Sequence, residues 1–203
     1  MNTSLRLCGF VLAGGQSTRM GVDKALLEIA GTPLLLRAVN LLKAHVDSMT
    51  VLGPPERYEF IEEPTVPNSR PGKGPLAAIL TGLEHLAGEW GIFLAGDLPL
   101  LDGRFIELLI RRTATNDSDA VVPRTSGGWQ PLCAAYRRTS ARHIREALAQ
   151  GETAIIQVLP RLQVDVIAPR DLALVGVDET IFENLNCPED WQRISDLLRT
   201  RVR

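Results

Sequence analysis

The sequence predicts an α/β fold: a mostly parallel sheet with helices on both faces, in three layers. Three observations carry this. Short apolar runs alternate with amphipathic stretches over the first two thirds of the chain, the pattern of strand–helix–strand units. The strand candidates Leu7–Ala13 and Gly91–Ala95 are almost wholly apolar, as strands covered on both sides must be. With 203 residues, 45% of them hydrophobic and 23% charged, the chain is long enough to bury a sizeable core. No internal repeat, low-complexity segment or long linker divides it, so residues 1–203 are expected to form one domain.

The elements follow in order. Leu7–Ala13 is an apolar strand ending in Gly14-Gly15. Pro33 to Ala44 has helical spacing, with Pro33 suited to a first turn. Ser48–Leu52 is a second strand, broken by Gly53-Pro54-Pro55. Pro64–Pro75 reads as a loop and Leu76–Leu86 as a helix. Gly91–Ala95 is the next strand, and Phe105–Thr113 a helix for which Asp102 is a candidate cap. Ala120–Pro123 is a strand, Gly127-Gly128 a turn, Leu132–Tyr136 a strand and Ser140–Ala149 an amphipathic helix stopped by Gly151. Val164–Ile167 is a further strand, and Pro188–Arg199 a C-terminal helix with an acidic first turn. The later strands lie closer together and are expected to include an antiparallel pair.

Composition narrows the partners. A net charge of −2 gives no pull toward nucleic acid, and no apolar run is long enough to span a membrane, so neither partner is expected. The N-terminal stretch has glycines and charges directly after its apolar residues and no cleavage pattern, so a mature cytoplasmic start is expected. Cys8, Cys133 and Cys187 are odd in number and widely spaced, which argues for reduced thiols over a disulfide framework or a zinc cluster. His45, His85 and His143 stand near no motif and read as helix-face or surface residues. No nucleophile elbow is present.

The chemistry concentrates after the first strand, in Val11-Leu12-Ala13-Gly14-Gly15-Gln16-Ser17-Thr18-Arg19-Met20-Gly21-Val22-Asp23-Lys24. Ligands of open α/β sheets gather outside the carboxyl ends of strands. Glycines let backbone N–H groups turn toward an anion, and Arg19 and Lys24 add two positive charges, so the loop suits a polyphosphate. A surface turn with incidental charges is the plainer alternative. The spacing fits neither the Walker A loop nor G-x-G-x-x-G. A second concentration is Gly96-Asp97-Leu98-Pro99 at the end of a central strand. A carboxylate there faces the ligand crevice and can hold Mg²⁺ together with phosphate oxygens, which makes Asp97 the metal-ligand candidate.

The glycine-rich stretch resembles the L-A-G-G-x-S-x-R-M-G-x-D-K signature of nucleotidyltransferases of the molybdenum cofactor guanylyltransferase type. Three further stretches are similar to that family. They are Pro71-Gly72-Lys73-Gly74-Pro75-Leu76-Ala77-Ala78-Ile79, with Asn68 where the family usually has Asp; Trp129-Gln130-Pro131-Leu132-Cys133-Ala134-Ala135-Tyr136, on the family's acceptor side; and Phe182-Glu183-Asn184-Leu185-Asn186-Cys187-Pro188-Glu189-Asp190. Residues 53–67 match poorly, so the residues that read the base on that side are unassigned.

The resemblance implies the Rossmann-like three-layer fold of nucleotide-diphospho-sugar transferases. It also implies transfer of GMP from GTP to molybdopterin carrying molybdenum, with Mg²⁺ as cofactor and other cofactor-assembly proteins as transient contacts. Arg19, Lys24 and Asp97 would be catalytic, with Asp97 on the metal. Leu12, Ala13, Gly14, Gly15, Ser17, Asn68, Gly74, Pro75, Asn184 and Asn186 would bind the substrates. A cytidylyltransferase, a sugar or polyol nucleotidyltransferase, and a nucleotide-binding protein without turnover are the alternatives.

Overall fold

The computed structural model describes residues 6–14, 23–115, 117–184, 190 and 194. Its first strand is β1 (Leu7–Leu12), followed by a two-residue hairpin, β2 (Glu28–Ile29) and β3 (Thr32–Pro33), and then α1 (Leu34–Lys43). Next come β4 (Ser48–Leu52), β5 (Thr65–Val66), α2 (Gly74–Glu84), β6 (Trp90–Ala95) and α3 (Gly103–Thr113). A hairpin, β7 (Ala120–Thr125) and β8 (Gly128–Trp129), leads to β9 (Ala134–Arg137) and α4 (Ser140–Ala149). Then come β10 (Val164–Ile167) and α5 (Pro169–Leu174).

The main sheet runs β10-β7-β9-β6-β1-β4-β5, with β8 beside β7. The pairs β1–β4, β1–β6, β4–β5 and β7–β10 are parallel. The expected antiparallel element is β9, inserted between β6 and β7 and antiparallel to both. The chain leaves β1 in one direction, to β4 and β5, and returns on the other side to β6, which makes the gap beyond β1 and β6 a switch point of the sheet.

Period-2 alternation sorts the strand side chains onto two faces. Val11, Ile92, Leu94, Val121 and Ala135 pack with α1 and α3. Cys8, Phe10, Phe93, Ala134 and Tyr136 pack with α2 and α4. At the centre of the second face the Phe93 ring stacks on Phe10 at 4.9 Å between centroids and meets Tyr136 edge-on at 5.7 Å. The Tyr136 hydroxyl is satisfied by donating to Pro131 O at 2.7 Å. Cys8 and Cys133 are buried and unbridged, and Cys187 lies outside the described residues.

The longer elements lie where the spacing predicts them, with small shifts at the ends. α2 begins at Gly74, two residues early, because Pro75 fits a first helical turn that lacks an N–H partner anyway. α3 begins at Gly103, with Asp102 as its cap, its carboxylate accepting from Arg104 N at 2.9 Å. The expected strand Leu132–Tyr136 starts only at Ala134, since Cys133 N donates back to Gln130 O and closes a turn. Within the expected loop Pro64–Pro75, Thr65–Val66 pairs with β4 as an edge strand. His45 and His85 lie just past the ends of α1 and α2, and their Nδ1 atoms bond the carbonyls four residues earlier, Leu41 O and Thr81 O. Of the C-terminal helix expected over Pro188–Arg199, only Asp190 and Ile194 are described; both are helical. No helix among the described residues is long and apolar enough to cross a membrane.

Phe93 is fully buried between two aromatic partners and cannot be replaced by rearrangement of small neighbours. Phe93→Ala is expected to lower the unfolding free energy by about 3–5 kcal/mol. Urea melts would read this as a lower midpoint at unchanged slope, and a loss below about 1 kcal/mol would show that the stack does not hold the sheet.

Candidate functional site

Two cavities open beyond the carboxyl ends of β1 and β6. The larger, about 600 Å³, is bounded by the end of β1 on one side and the start of α2 on the other. The smaller, about 360 Å³, lies toward the β7–β8 hairpin and the turn before β9. Pro75, Ala95, Asp97 and Leu132 line both, so Asp97 stands at the seam between them.

The seam is built by strand pairing. Leu12 and Ala95 are register partners in the parallel β1–β6 pair, and Gly96 N donates to Leu12 O at 3.0 Å just beyond it. The two chains therefore leave the sheet at one level, one into Gly14 and the other into Asp97. Gly14 has φ +97°, a left-handed conformation that disfavours any other residue. A side chain there would also meet Pro54 at 2.9 Å. Residues Gly53-Pro54-Pro55, which match the family poorly, thus pack under the start of the glycine-rich loop.

Of the sequence-predicted residues, Leu12, Ala13, Gly14 and Lys24 line the larger cavity together with Asn68, Gly74, Pro75 and Asp97. Asn184 lines the smaller one, with Asp97. Gly15, Ser17, Arg19 and Asn186 lie outside the described residues. Two residues are narrower in what they can offer than the sequence suggests. The Ala13 N–H is already donated to Leu52 O at 2.9 Å, so phosphate-holding amides start no earlier than Gly14. The Asn68 side-chain oxygen accepts from Arg70 N at 3.0 Å, holding a local turn, which leaves its NH₂ group for the cavity. Gly74, with φ +66°, opens α2 under Thr153 O, 3.0 Å from where a side chain would start.

Lys24 is placed by a neighbour that sequence reasoning left without a role. Asp23 caps the short 3₁₀ turn Lys24–Leu26, accepting from Ala25 N at 3.1 Å. The other carboxylate oxygen of Asp23 accepts from the buried Tyr58 hydroxyl at 2.9 Å. Burial and this bond push the Tyr58 phenol far above its usual range, so it stays a donor. Tyr58 lies in the segment that matches the family poorly, and a single tyrosine there carries no signal in sequence. Ile156 is also unsignalled: it is half exposed yet lines the smaller cavity.

Burial pushes the Asp97 carboxyl above the ordinary carboxylate range, while the Lys24 ammonium pulls it the other way. Cys133, behind it, is pushed up to about 12, chiefly by burial, and is inert as a thiol. Among the described residues no group of three or more His, Cys, Asp or Glu could cage a metal. One carboxylate shared by two open cavities, with Asp23 also on the wall of the larger, instead suits a cation that takes most of its oxygens from bound phosphates, as Mg²⁺ does. The arrangement can hold two ligands in adjacent cavities, with a carboxylate where they meet and an ammonium on the wall of the larger.

The family model described as the MobA-like NTP transferase domain matches residues 9–165. A "probable molybdenum cofactor guanylyltransferase" of Natronomonas pharaonis is 35% identical over 199 residues, covering 94% of this chain and 97% of its own. One of the same name from Nostoc sp. is 37% identical over 193 residues, covering 91% and 88%. Among solved structures, the molybdopterin-guanine dinucleotide biosynthesis protein A of Archaeoglobus fulgidus superposes with a TM-score of 0.84 at 23% identity, covering 95% and 99%. That likeness bears on the fold alone.

Two predictions follow from the electrostatics. A carboxyl whose folded-state pKa is raised costs nothing below the ordinary carboxylate range and costs stability above its raised value. Asp97→Asn is therefore expected to raise the melting temperature at neutral pH, measured without nucleotide or divalent cation, with the gain fading as pH falls toward 4. A less stable variant at neutral pH would mean that Lys24 outweighs the burial. Tyr58→Phe should cost about 1 kcal/mol in urea melts through loss of the Asp23 bond. It should also weaken nucleotide binding in calorimetric titration, by releasing the turn that carries Lys24.

Proposed function

Because this chain belongs to the MobA-like NTP transferase family, we propose that it transfers GMP from GTP to molybdopterin carrying molybdenum, releasing pyrophosphate. Relatives with the matching name, aligned over nearly the whole chain, support the guanylyl donor and the pterin acceptor. The observation that carries the reading is that two cavities share the Asp97 carboxylate. A transfer between two anionic substrates needs such a place, where both are held and their charge is met. In this reading residues 1–203 act as one nucleotidyltransferase domain, in the cytoplasm, with transient contact to other molybdenum cofactor assembly proteins and no nucleic-acid or membrane partner.

GTP occupies the larger cavity and the acceptor the smaller. A terminal phosphate oxygen of the pterin forms a bond to the α-phosphorus, and the bond from that phosphorus to the departing pyrophosphate breaks, the electron pair leaving with pyrophosphate. Asp97 would hold Mg²⁺, which when bound neutralises phosphate charge. Lys24 meets the charge that grows on the leaving pyrophosphate, and Arg19 is assigned the same task by its place in the motif. Backbone N–H groups from Gly14 onward, with Gly15 and Ser17, hold the β- and γ-phosphates. Gly74 and Pro75 bound the ribose and base end, where the Asn68 NH₂ group is a donor, and Asn184 and Asn186 bound the acceptor.

Calorimetric titration with GTP, CTP, UTP and ATP in Mg²⁺ tests the donor. Binding of GTP in preference to the others is expected, and preference for CTP would replace the reading with a cytidylyltransferase. Lys24→Ala should keep its fold and lose turnover by about 10²-fold or more in a single-turnover pyrophosphate assay. An unchanged rate would remove Lys24 from the mechanism.

A further inference from the structure

The smaller cavity has a lining that the transfer chemistry does not use. Trp129 is the one aromatic side chain among the described residues lining either cavity. It sits at the end of the β7–β8 hairpin, directly across from Arg124, whose guanidinium lies over the indole ring at 5.3 Å from its centroid. One face of the ring is therefore covered by a cation. The residue is only half-buried, and the cavity it lines also exposes Ile156, whose exposure of 50% is high for a large apolar side chain. An indole and an uncovered isoleucine bounding one space of about 360 Å³ suit a flat apolar body.

The neighbouring residue adds a polar reading. Thr125 Oγ1 donates its single proton to Gly128 O at 3.0 Å. It can then only accept from Gln130, which lies 3.2 Å away, and this fixes the Gln130 amide with its NH₂ toward Thr125. The Gln130 side-chain oxygen is left as an acceptor on a residue that lines the same cavity. The hydrogen-bond chain from Gly128 through Thr125 to Gln130 is built within the hairpin, so the acceptor is set before any ligand arrives.

We propose that the β7–β8 hairpin selects the acceptor substrate. Trp129 stacks on a planar heteroaromatic ring, and the Gln130 side-chain oxygen accepts from N–H donors on that ring's edge. A pterin has both features, as a flat bicycle with an aminopyrimidinone edge. This rests on the function proposed above and adds which residues recognise the acceptor. Trp129 and Gln130 touch no reacting atom in this scheme, so their loss should weaken acceptor binding and leave the donor alone.

The test uses the full chain and two stable probes: pterin-6-carboxylate, which is fluorescent, and 6-carboxy-1,3-dimethyllumazine, the same pteridine bicycle with its 2-amino group replaced by oxo and its ring N–H positions methylated, so that it has no donor on that edge. Both are titrated in the presence of GTP and Mg²⁺, and GTP itself is titrated by calorimetry. Wild type is expected to bind the pterin and to prefer it over the lumazine. Trp129→Leu should weaken pterin binding by about 5- to 150-fold, and Trp129→Phe should restore most of it. Gln130→Leu should abolish the preference for the pterin over the lumazine. All three variants should bind GTP as wild type does, which reports an intact fold. Wild-type pterin affinity in Trp129→Leu, or no preference between the probes in wild type, overturns the inference and leaves the guanylyltransferase reading standing. A wild type that binds neither GTP nor pterin overturns both.

Discussion

Parallel pairing of β1 with β6 sets the geometry on which the site depends. Leu12 and Ala95 are partners at the last rung, and Gly96 N closes one further bond to Leu12 O. Register in a sheet with two covered faces is strongly specified, because a slip of one residue turns every side chain to the other face. Here a slip would move Phe10 and Phe93 away from each other and from Tyr136, and drive Val11 and Leu94 into the space that the aromatics occupy. The core thus fixes the level at which the two strands end, and through it the approach of Gly14 to Asp97. Function at the rim is held by hydrophobic packing several residues away.

The antiparallel strand β9 gives the site its second half. A strand that runs against its neighbours begins where they end. The turn before β9, with Pro131, Leu132 and Cys133, is therefore delivered to the carboxyl end of β6, beside Asp97. A purely parallel sheet would have put a strand terminus and a following loop there. In this fold the two walls have different sources: β1, β6 and α2 bound the larger cavity, while the end of the β7–β8 hairpin and the turn before β9 bound the smaller. Asp97 belongs to both because β6 is the strand that the parallel and antiparallel parts share.

Much of this was legible in the sequence, for physical reasons that differ between elements. Ser48–Leu52, Ser140–Ala149 and Val164–Ile167 were bounded by breakers and long enough for their periodicity to register. Asp97 was legible because a carboxylate after an apolar strand and a glycine has few places to go but the crevice. Two-residue strands such as Thr65–Val66 carry no periodicity and exist only through their partner, β4. The six-residue α5 was missed for a similar reason, being held by Asp171, whose carboxylate accepts from Ala168 N at 2.8 Å. Tyr58 was illegible as an anchor because its importance is a tertiary contact across 35 residues, to Asp23. The spent N–H of Ala13 was illegible too, since the motif gives glycines and charges but not which amides the sheet consumes.

The division of the site between two structural sources has a consequence for how such a protein changes its substrate. Gly14 and Asp97 sit just beyond the ends of central strands, where any shift would disturb the packed sheet. Residues on the other wall sit on a two-residue strand and a turn, where Trp129 and Leu132 lie at the edge of the core that α2 and α4 cover, and the contacts to Arg124 and Thr125 are local. In the proposed function, the central strands carry the step that every nucleotidyl transfer shares, and the β7–β8 hairpin carries the choice of acceptor.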